Sequence, residues 1–316
     1  MGKTAIEWAT YTFNPWWGCV NVSPACDHCY AESLANRFGF KIWGKDAPRR
    51  FFGDKHWEEP VRWDHIAKER MNNPHNPKPR VFCGSMCDVM EDRDDLRQSR
   101  ARLYHLIEDT PNLIWMLLTK RPQNFNRFLP QQWLDNPLRN VWLMTTVESP
   151  EYLWRVDALI RTPATVRGLS VEPLLAPLEL DDYLKVRKHW KSTDSLPQAP
   201  WHPPYPLHWY EPQALVAASW RCPIDWVIVG GESGRTPRAT HSDWVRSLRD
   251  QCKAAKVAFF FKQWGEYEPF CTTPATEPTG EPTNFFVFQD GLAMRRVGKK
   301  AAGRLLDGKE YNEVPQ

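Results

Sequence analysis

The chain of 316 residues has no run approaching the roughly 20 apolar residues of a membrane span, and its opening segment Met1-Gly-Lys-Thr-Ala-Ile-Glu-Trp8 carries no apolar signal core. A cytoplasmic protein with no membrane partner is expected. Excess charge is also lacking. Forty-one Lys and Arg against 38 Asp and Glu leave a net +3, too mild to demand a polyanionic partner but compatible with a local basic face. There is no solenoid repeat period. Neither a Gly-x-Gly-x-x-Gly dinucleotide fingerprint nor a Walker lysine is present.

What the chain does contain is cysteine in an uneven distribution. Of eight cysteines, three fall within eleven residues, Cys19, Cys26 and Cys29, in Gly18-Cys-Val-Asn-Val-Ser-Pro-Ala-Cys-Asp-His-Cys-Tyr30. In a reducing compartment such a cluster points to metal ligation or catalysis rather than to disulfides. Three thiolates on one loop form a soft-metal site. Zinc would need His28 or a distant cysteine to close its tetrahedron. A four-iron cluster held by three thiolates would keep one iron open for an exogenous ligand. Cys83 and Cys87 form the other close pair and would face a pocket or fill space. The 17 tryptophans suit packing under long loops or a stacking platform for bases or cofactor.

Short, continuously apolar runs recur at Val81 to Ser85, Leu113 to Leu118, Val141 to Thr146, Val166 to Val171, Trp226 to Val229 and Ala258 to Lys262. Continuity rather than alternation indicates parallel strands covered on both faces. Asp92 to Thr110 and Glu151 to Thr162 carry helical apolar stripes. Ser242 is a candidate N-cap for a helix with the stripe Trp244, Val245, Leu248 and Cys252, which makes Cys252 a core residue. The expected fold is α/β, a parallel (β/α) barrel or partial barrel over residues 1–265. Lys41 to Arg80 is read as a loop elaboration, and the Pro- and Trp-rich stretch 181–223 as an insertion, either a lid or a surface loop. Residues 266–316 form a C-terminal extension in which Phe285 to Arg296 reads as a hairpin turning at Asp290-Gly291.

Functional groups of such a barrel gather where the strands end. Those positions hold Ser85, Asp88, Thr119, Lys120, Arg121, Glu148, Ser149, Glu172, Gly231, Glu232, Ser233, Lys262 and Gln263. Each alone fits a solvated charge or an ion pair. Together they outline a polar mouth, because unpaired ions inside a closed core would lose several kcal/mol of hydration. The turn Val229-Gly-Gly-Glu-Ser-Gly234 lets backbone approach a ligand closely.

Three cysteines on a loop after a first strand, followed by Tyr30 and a helix and heading a βα barrel, resemble the radical S-adenosylmethionine enzymes. Here six residues and then two separate the cysteines, a wider spacing than most of them show. That spacing resembles a narrower, phage- and prophage-associated group, the three-cysteine-motif family. So do Phe13-Asn-Pro-Trp-Trp-Gly-Cys19, Ser23-Pro-Ala-Cys-Asp-His-Cys-Tyr-Ala-Glu32, Leu118-Thr-Lys-Arg-Pro122, Ser170-Val-Glu-Pro-Leu174, Val229-Gly-Gly-Glu-Ser-Gly234, Phe260-Phe-Lys-Gln-Trp-Gly265 and Gly303-Arg-Leu-Leu-Asp-Gly308.

The resemblance implies a [4Fe–4S] cluster on Cys19, Cys26 and Cys29, with S-adenosylmethionine on the open iron. Reductive cleavage would give a 5′-deoxyadenosyl radical that abstracts hydrogen from substrate. By the same analogy Glu148 and Ser170 meet the methionine and ribose ends of S-adenosylmethionine, and Gly230, Gly231 and Glu232 its adenosine side. Lys120, Arg121 and Lys262, with Glu172, are assigned to substrate, an anionic one suiting the three cations. The expected substrate is a nucleotide or nucleic-acid base, and the electron source a flavodoxin or ferredoxin. Two alternatives stand beside this: an iron–sulfur or zinc binding module without turnover, and a radical enzyme acting on a small metabolite or peptide.

Overall fold

A computed structural model describes residues 4–70, 76–184, 224–270 and 284–315. The chain begins with β1 (Tyr11–Phe13), followed by the short strands β2 (Trp16–Trp17) and β3 (Arg50–Phe51). Helix α1 (Tyr30–Arg37) lies between those two, and α2 (Asp54–Arg70) follows them. Next come β4 (Arg80–Cys83), α3 (Arg97–Asp109), β5 (Ile114–Thr119), the short helices α4 (Phe125–Phe128) and α5 (Gln131–Asp135), and β6 (Val141–Thr146). Then α6 (Trp154–Ile160), β7 (Val166–Val171), α7 (Asp181–Leu184), β8 (Trp226–Gly230), α8 (Ser242–Ala255) and β9 (Ala258–Gln263) complete the main body. The last elements are β10 (Tyr267–Phe270), β11 (Phe285–Val287), β12 (Ala293–Arg296) and α9 (Lys299–Ala302).

Seven strands form one sheet in the order β1-β4-β5-β6-β7-β8-β9, and every neighbouring pair is parallel. The apolar runs of the sequence become its strands, and period-two geometry divides their side chains between two cores. Val81, Cys83, Trp115, Leu117, Val141 and Leu143 face outward, onto Leu103 and Ile107 of α3, Val156 and Leu159 of α6, and Val245, Leu248 and Cys252 of α8. Phe82, Met116, Trp142, Met144, Trp226, Ile228 and Phe260 face the concave side with Trp8. The Trp8 ring meets Phe82 on β4 at 4.7 Å and Trp226 on β8 at 6.3 Å, so the sheet curls into a half-barrel. Each such side chain, fully buried, contributes on the order of 1.5–3 kcal/mol. Gly168 leaves room for this packing, since a Cβ there would lie 2.8 Å from Met144 Cε.

Both chain ends tie into the base of the half-barrel. The Thr10 amide donates to the Arg80 carbonyl at 2.8 Å, and Trp226 Nε1 donates to the Glu313 carbonyl at 2.9 Å. The strands terminate at the opposite end.

Three local expectations change. Lys41 to Arg80 contains the 17-residue helix α2, whose Trp57, Trp63 and Ala67 are buried despite Pro60 within it. The stack of Trp63 on Tyr11, 4.4 Å between centroids and 6° between planes, supplies the tertiary contact that overrides a helix-breaking residue. The N-cap of α8 is His241, not Ser242, because His241 accepts from the Asp243 amide at 3.1 Å. The hairpin at Asp290-Gly291 forms, and β10 joins it to give the antiparallel order β10-β12-β11. Of the insertion 181–223, residues 181–184 form α7, and the remainder lies outside the described residues. Among the described residues no helix is long and apolar enough to cross a membrane.

Candidate functional site

All seven parallel strands end on one side, and there the cysteine loop and the strand-end side chains surround a cavity of ≈ 410 Å³. It is within the size range of small-molecule sites. Cys19, Cys26, Cys29, Lys120, Arg121, Ser170, Glu172, Gly231, Glu232 and Lys262 all line it.

The loop reaches the mouth because the chain leaving β1 keeps pairing beyond the sheet. Gly18 bridges Cys87 in parallel, and its amide donates to the Met86 carbonyl at 3.0 Å. The turn requires glycine: φ is +112°, and a Cβ would lie 2.4 Å from the Ile42 carbonyl oxygen. Asn14 secures the facing loop, accepting from the Met86 amide at 2.7 Å and donating to Ser85 Oγ at 2.9 Å. Cys26 closes a 3₁₀ turn over Pro24–Cys26, and Cys29 is the N-cap of α1. Helix-terminal amides favour negative charge, hence a thiolate or an anionic cluster, at that position.

The three sulfurs are free and half-buried. Burial pushes the Cys19 thiol up to about 12 against the opposing pull of Arg121, and burial also raises Cys29. Unmetallated, both are neutral at physiological pH, so a metal binds by displacing protons. Among the described residues no three His, Cys, Asp or Glu side chains converge as ligands of one ion. The candidate fourth zinc ligand, His28, uses Nδ1 to bond Glu232 at 2.9 Å, which leaves Nε2 open. Three soft sulfurs distributed around a cavity suit a multi-iron cluster, which takes one sulfur per iron.

Two arginine–carboxylate pairs clamp the loop from opposite sides. On one side Arg121 Nη1 lies 2.7 Å from Asp88 Oδ2, and its Nη2 donates to the Val20 carbonyl at 2.8 Å. Burial works to raise the Asp88 carboxyl, but Arg121 and the Thr119 hydroxyl outweigh it and hold it below the usual range. On the other side Glu232 accepts from Arg238 Nε at 2.9 Å, from the Arg238 amide at 2.8 Å and from His28. Arg238 Nη2 also donates to the Pro24 carbonyl at 2.8 Å.

These contacts engage several of the expected site residues. Glu232 lines the cavity, and its carboxylate accepts from Arg238 and bonds His28. Arg121 is likewise held by Asp88 and by the Val20 carbonyl. Glu148 is fully buried and paired with Arg155 at 2.9 Å, and it is not among the lining residues. Gly230 does not line the cavity either; a Cβ there would lie 3.1 Å from Glu172 Cδ, so it makes room for Glu172. Gly231 lines the cavity and packs tightly, a Cβ lying 2.0 Å from the Trp264 carbonyl oxygen.

The remaining groups stay available to a ligand. Lys262 and Glu172 pair at 2.7 Å with both side chains partly exposed. Lys120 lines the cavity with no hydrogen-bond or ion-pair partner for its ammonium among the described residues. Ser170 lies on the same wall, and Ser233 Oγ is buried without a partner. Of the undecided pair, Cys87 lines the cavity while Cys83 is fully buried in the outer core. Sequence reasoning missed Arg238 and Asn14. For Arg238 the available signal was its place six residues after Glu232 on one loop; for Asn14 it was its place in the motif Phe13-Asn-Pro-Trp-Trp-Gly-Cys19.

The site is thus a thiol-lined mouth on a parallel half-barrel. The chain belongs to the family described as "Protein of unknown function (DUF5131)", whose model matches residues 3–315. No curated protein matches it. Among solved structures it is similar to two variants of spore photoproduct lyase, at TM-scores of 0.40 and 0.39 and 11% and 10% identity. The matches cover 96% and 95% of this chain and 72% and 74% of the respective lyase chains. At that degree of likeness the site residues are read from this chain alone.

Proposed function

We propose that the chain is a cytoplasmic radical S-adenosylmethionine-type enzyme that acts on a nucleotide or nucleic-acid base. Cys19, Cys26 and Cys29 would hold a [4Fe–4S] cluster. The observation that carries this reading is the opening of three free thiols from one loop onto one cavity where parallel strands end. Its resemblance to a phage- and prophage-associated family adds the expectation of a phage or prophage setting.

When bound, the cluster and S-adenosylmethionine supply one-electron cleavage of a carbon–sulfur bond and, through it, hydrogen abstraction from substrate, with a flavodoxin or ferredoxin as electron source. The protein's own residues bind, orient and exclude water. The clamps at Val20 and Pro24 fix the loop that carries the sulfurs. Ser170 and the unpartnered Ser233 hydroxyl add polar groups to the cavity lining. Lys120 and Lys262 offer two cations to a phosphate-bearing substrate, Lys262 by exchanging Glu172 for the ligand. Farther in, the lining turns apolar at Ile6, Trp8, Phe82 and Leu118, a surface suited to a flat heterocycle.

The test is anaerobic reconstitution followed by reduction in the presence of S-adenosylmethionine. Formation of 5′-deoxyadenosine supports the reading. A fully iron-loaded protein that leaves S-adenosylmethionine intact would be a binding module without turnover.

A further inference from the structure

The geometry around Arg121 assigns it a task other than substrate binding. Its Nη1 lies 3.8 Å from Cys19 Sγ and 2.7 Å from Asp88 Oδ2. Arg121 is 8% exposed and Asp88 5%. Asp88 is itself fixed, accepting from Thr119 Oγ1 at 2.6 Å, from the Met90 amide at 2.9 Å and from the Lys120 amide at 3.2 Å. With Nη2 on the Val20 carbonyl, the guanidinium cannot swing into the cavity without stranding a buried carboxylate. Its charge is therefore fixed beside one sulfur of the loop.

We propose that Arg121 is a positioning residue that sets the reduction potential of the cluster through Cys19, with Asp88 opposing it. This rests on the cluster reading above. Hydrogen bonds to ligating sulfurs and local charge are principal determinants of iron–sulfur potentials. Reduction moves one electron from the carrier to the cluster, so the carrier is oxidised and the cluster gains one negative charge. A cation beside Cys19 favours that product, while the carboxylate behind it reduces the effect. Arg121 keeps its proton throughout.

The experiment is a dithionite titration, followed by electron paramagnetic resonance, of full-length protein reconstituted anaerobically. Arg121→Gln should shift the midpoint to a more negative potential. Asp88→Asn, which leaves the guanidinium uncompensated, should shift it the opposite way. Arg121→Lys, which keeps the charge and loses the fork, should fall between wild type and Arg121→Gln, and it reports on the proposal even if the glutamine variant holds no iron. Wild-type protein without a four-iron cluster would remove the reading on which this stands. A wild-type cluster with unshifted potentials in Arg121→Lys and Asp88→Asn, or shifts of the same sign in the two residues' charge-removing variants, would overturn the role of Arg121 alone.

Discussion

The guanidinium of Arg238 donates to the Pro24 carbonyl at 2.8 Å and joins two segments 214 residues apart in sequence. It ties the loop after β8 to the loop after β2, and Glu232 anchors Arg238 by accepting from its Nε and from its backbone amide. Arg238→Gln should lower stability by roughly 1 kcal/mol, a modest figure because its side chain is 31% exposed. It should also increase iron loss under chelator challenge. Glu232→Gln should act in the same direction, and the double variant should cost less than the sum of the two. Urea midpoints and iron retention check this; additive losses would show that the two residues do not act as one clamp.

Lys120 and Lys262 both line the cavity. Replacing either with Ala should weaken binding of a nucleoside monophosphate roughly tenfold, the loss of one charge-assisted hydrogen bond. Raising the salt concentration should shrink the difference. Calorimetry on the reconstituted protein measures both. Equal affinity in wild type and the two variants would remove the phosphate role.

The cysteine loop also makes the metal-free protein sensitive to alkali. The Cys19 thiol is raised by burial to about 12, whereas an unfolded chain releases that proton near 8.5. Stability from this group is full below the unfolded value and is lost as pH rises toward the folded one, because the unfolded state sheds its proton first. Thermal melts of the metal-free protein should therefore fall as pH rises from about 8.5 toward about 12. Cys19→Ser should flatten part of that fall, and the buried thiols of Cys29 and Cys87, which are raised as well, should keep the rest. An unchanged profile in Cys19→Ser would contradict the burial assigned to this sulfur.

Most of the sheet was legible in the sequence because strands buried on both faces appear as unbroken apolar runs. The strands β4 to β9 coincide with those runs, and Cys252 falls in the core its helical stripe suggested. The elements that escaped depend on distant partners. Helix α2 hides behind Pro60 and is stabilised through Trp57 and Trp63, and β10 pairs with β12 without an alternating pattern of its own. At the site, the strand-end rule located the mouth but not the role of each charge. Spacing could not reveal that Glu232 is occupied by Arg238, that Arg121 is held by Asp88, or that Glu148 turns away to Arg155. Those are pairings between strand ends, fixed only when the sheet curls.

Gly231 illustrates how tightly the site is built. A Cβ at that position would meet the Trp264 carbonyl oxygen at 2.0 Å, and that neighbour is backbone. Gly231→Ala should destabilise the fold by about 1–3 kcal/mol or more and separate the ends of β8 and β9. Chemical denaturation measures the cost. A variant of wild-type stability would show that the backbone there relaxes freely.

Metal analysis of anaerobically purified protein tests the central claim most directly. Wild type and Cys252→Ala should each hold about four iron and four sulfide per chain, and Cys19→Ala, Cys26→Ala and Cys29→Ala should each lose the chromophore and its iron. One zinc per chain with no iron taken up on reconstitution, or a triple variant that keeps its iron, would contradict it.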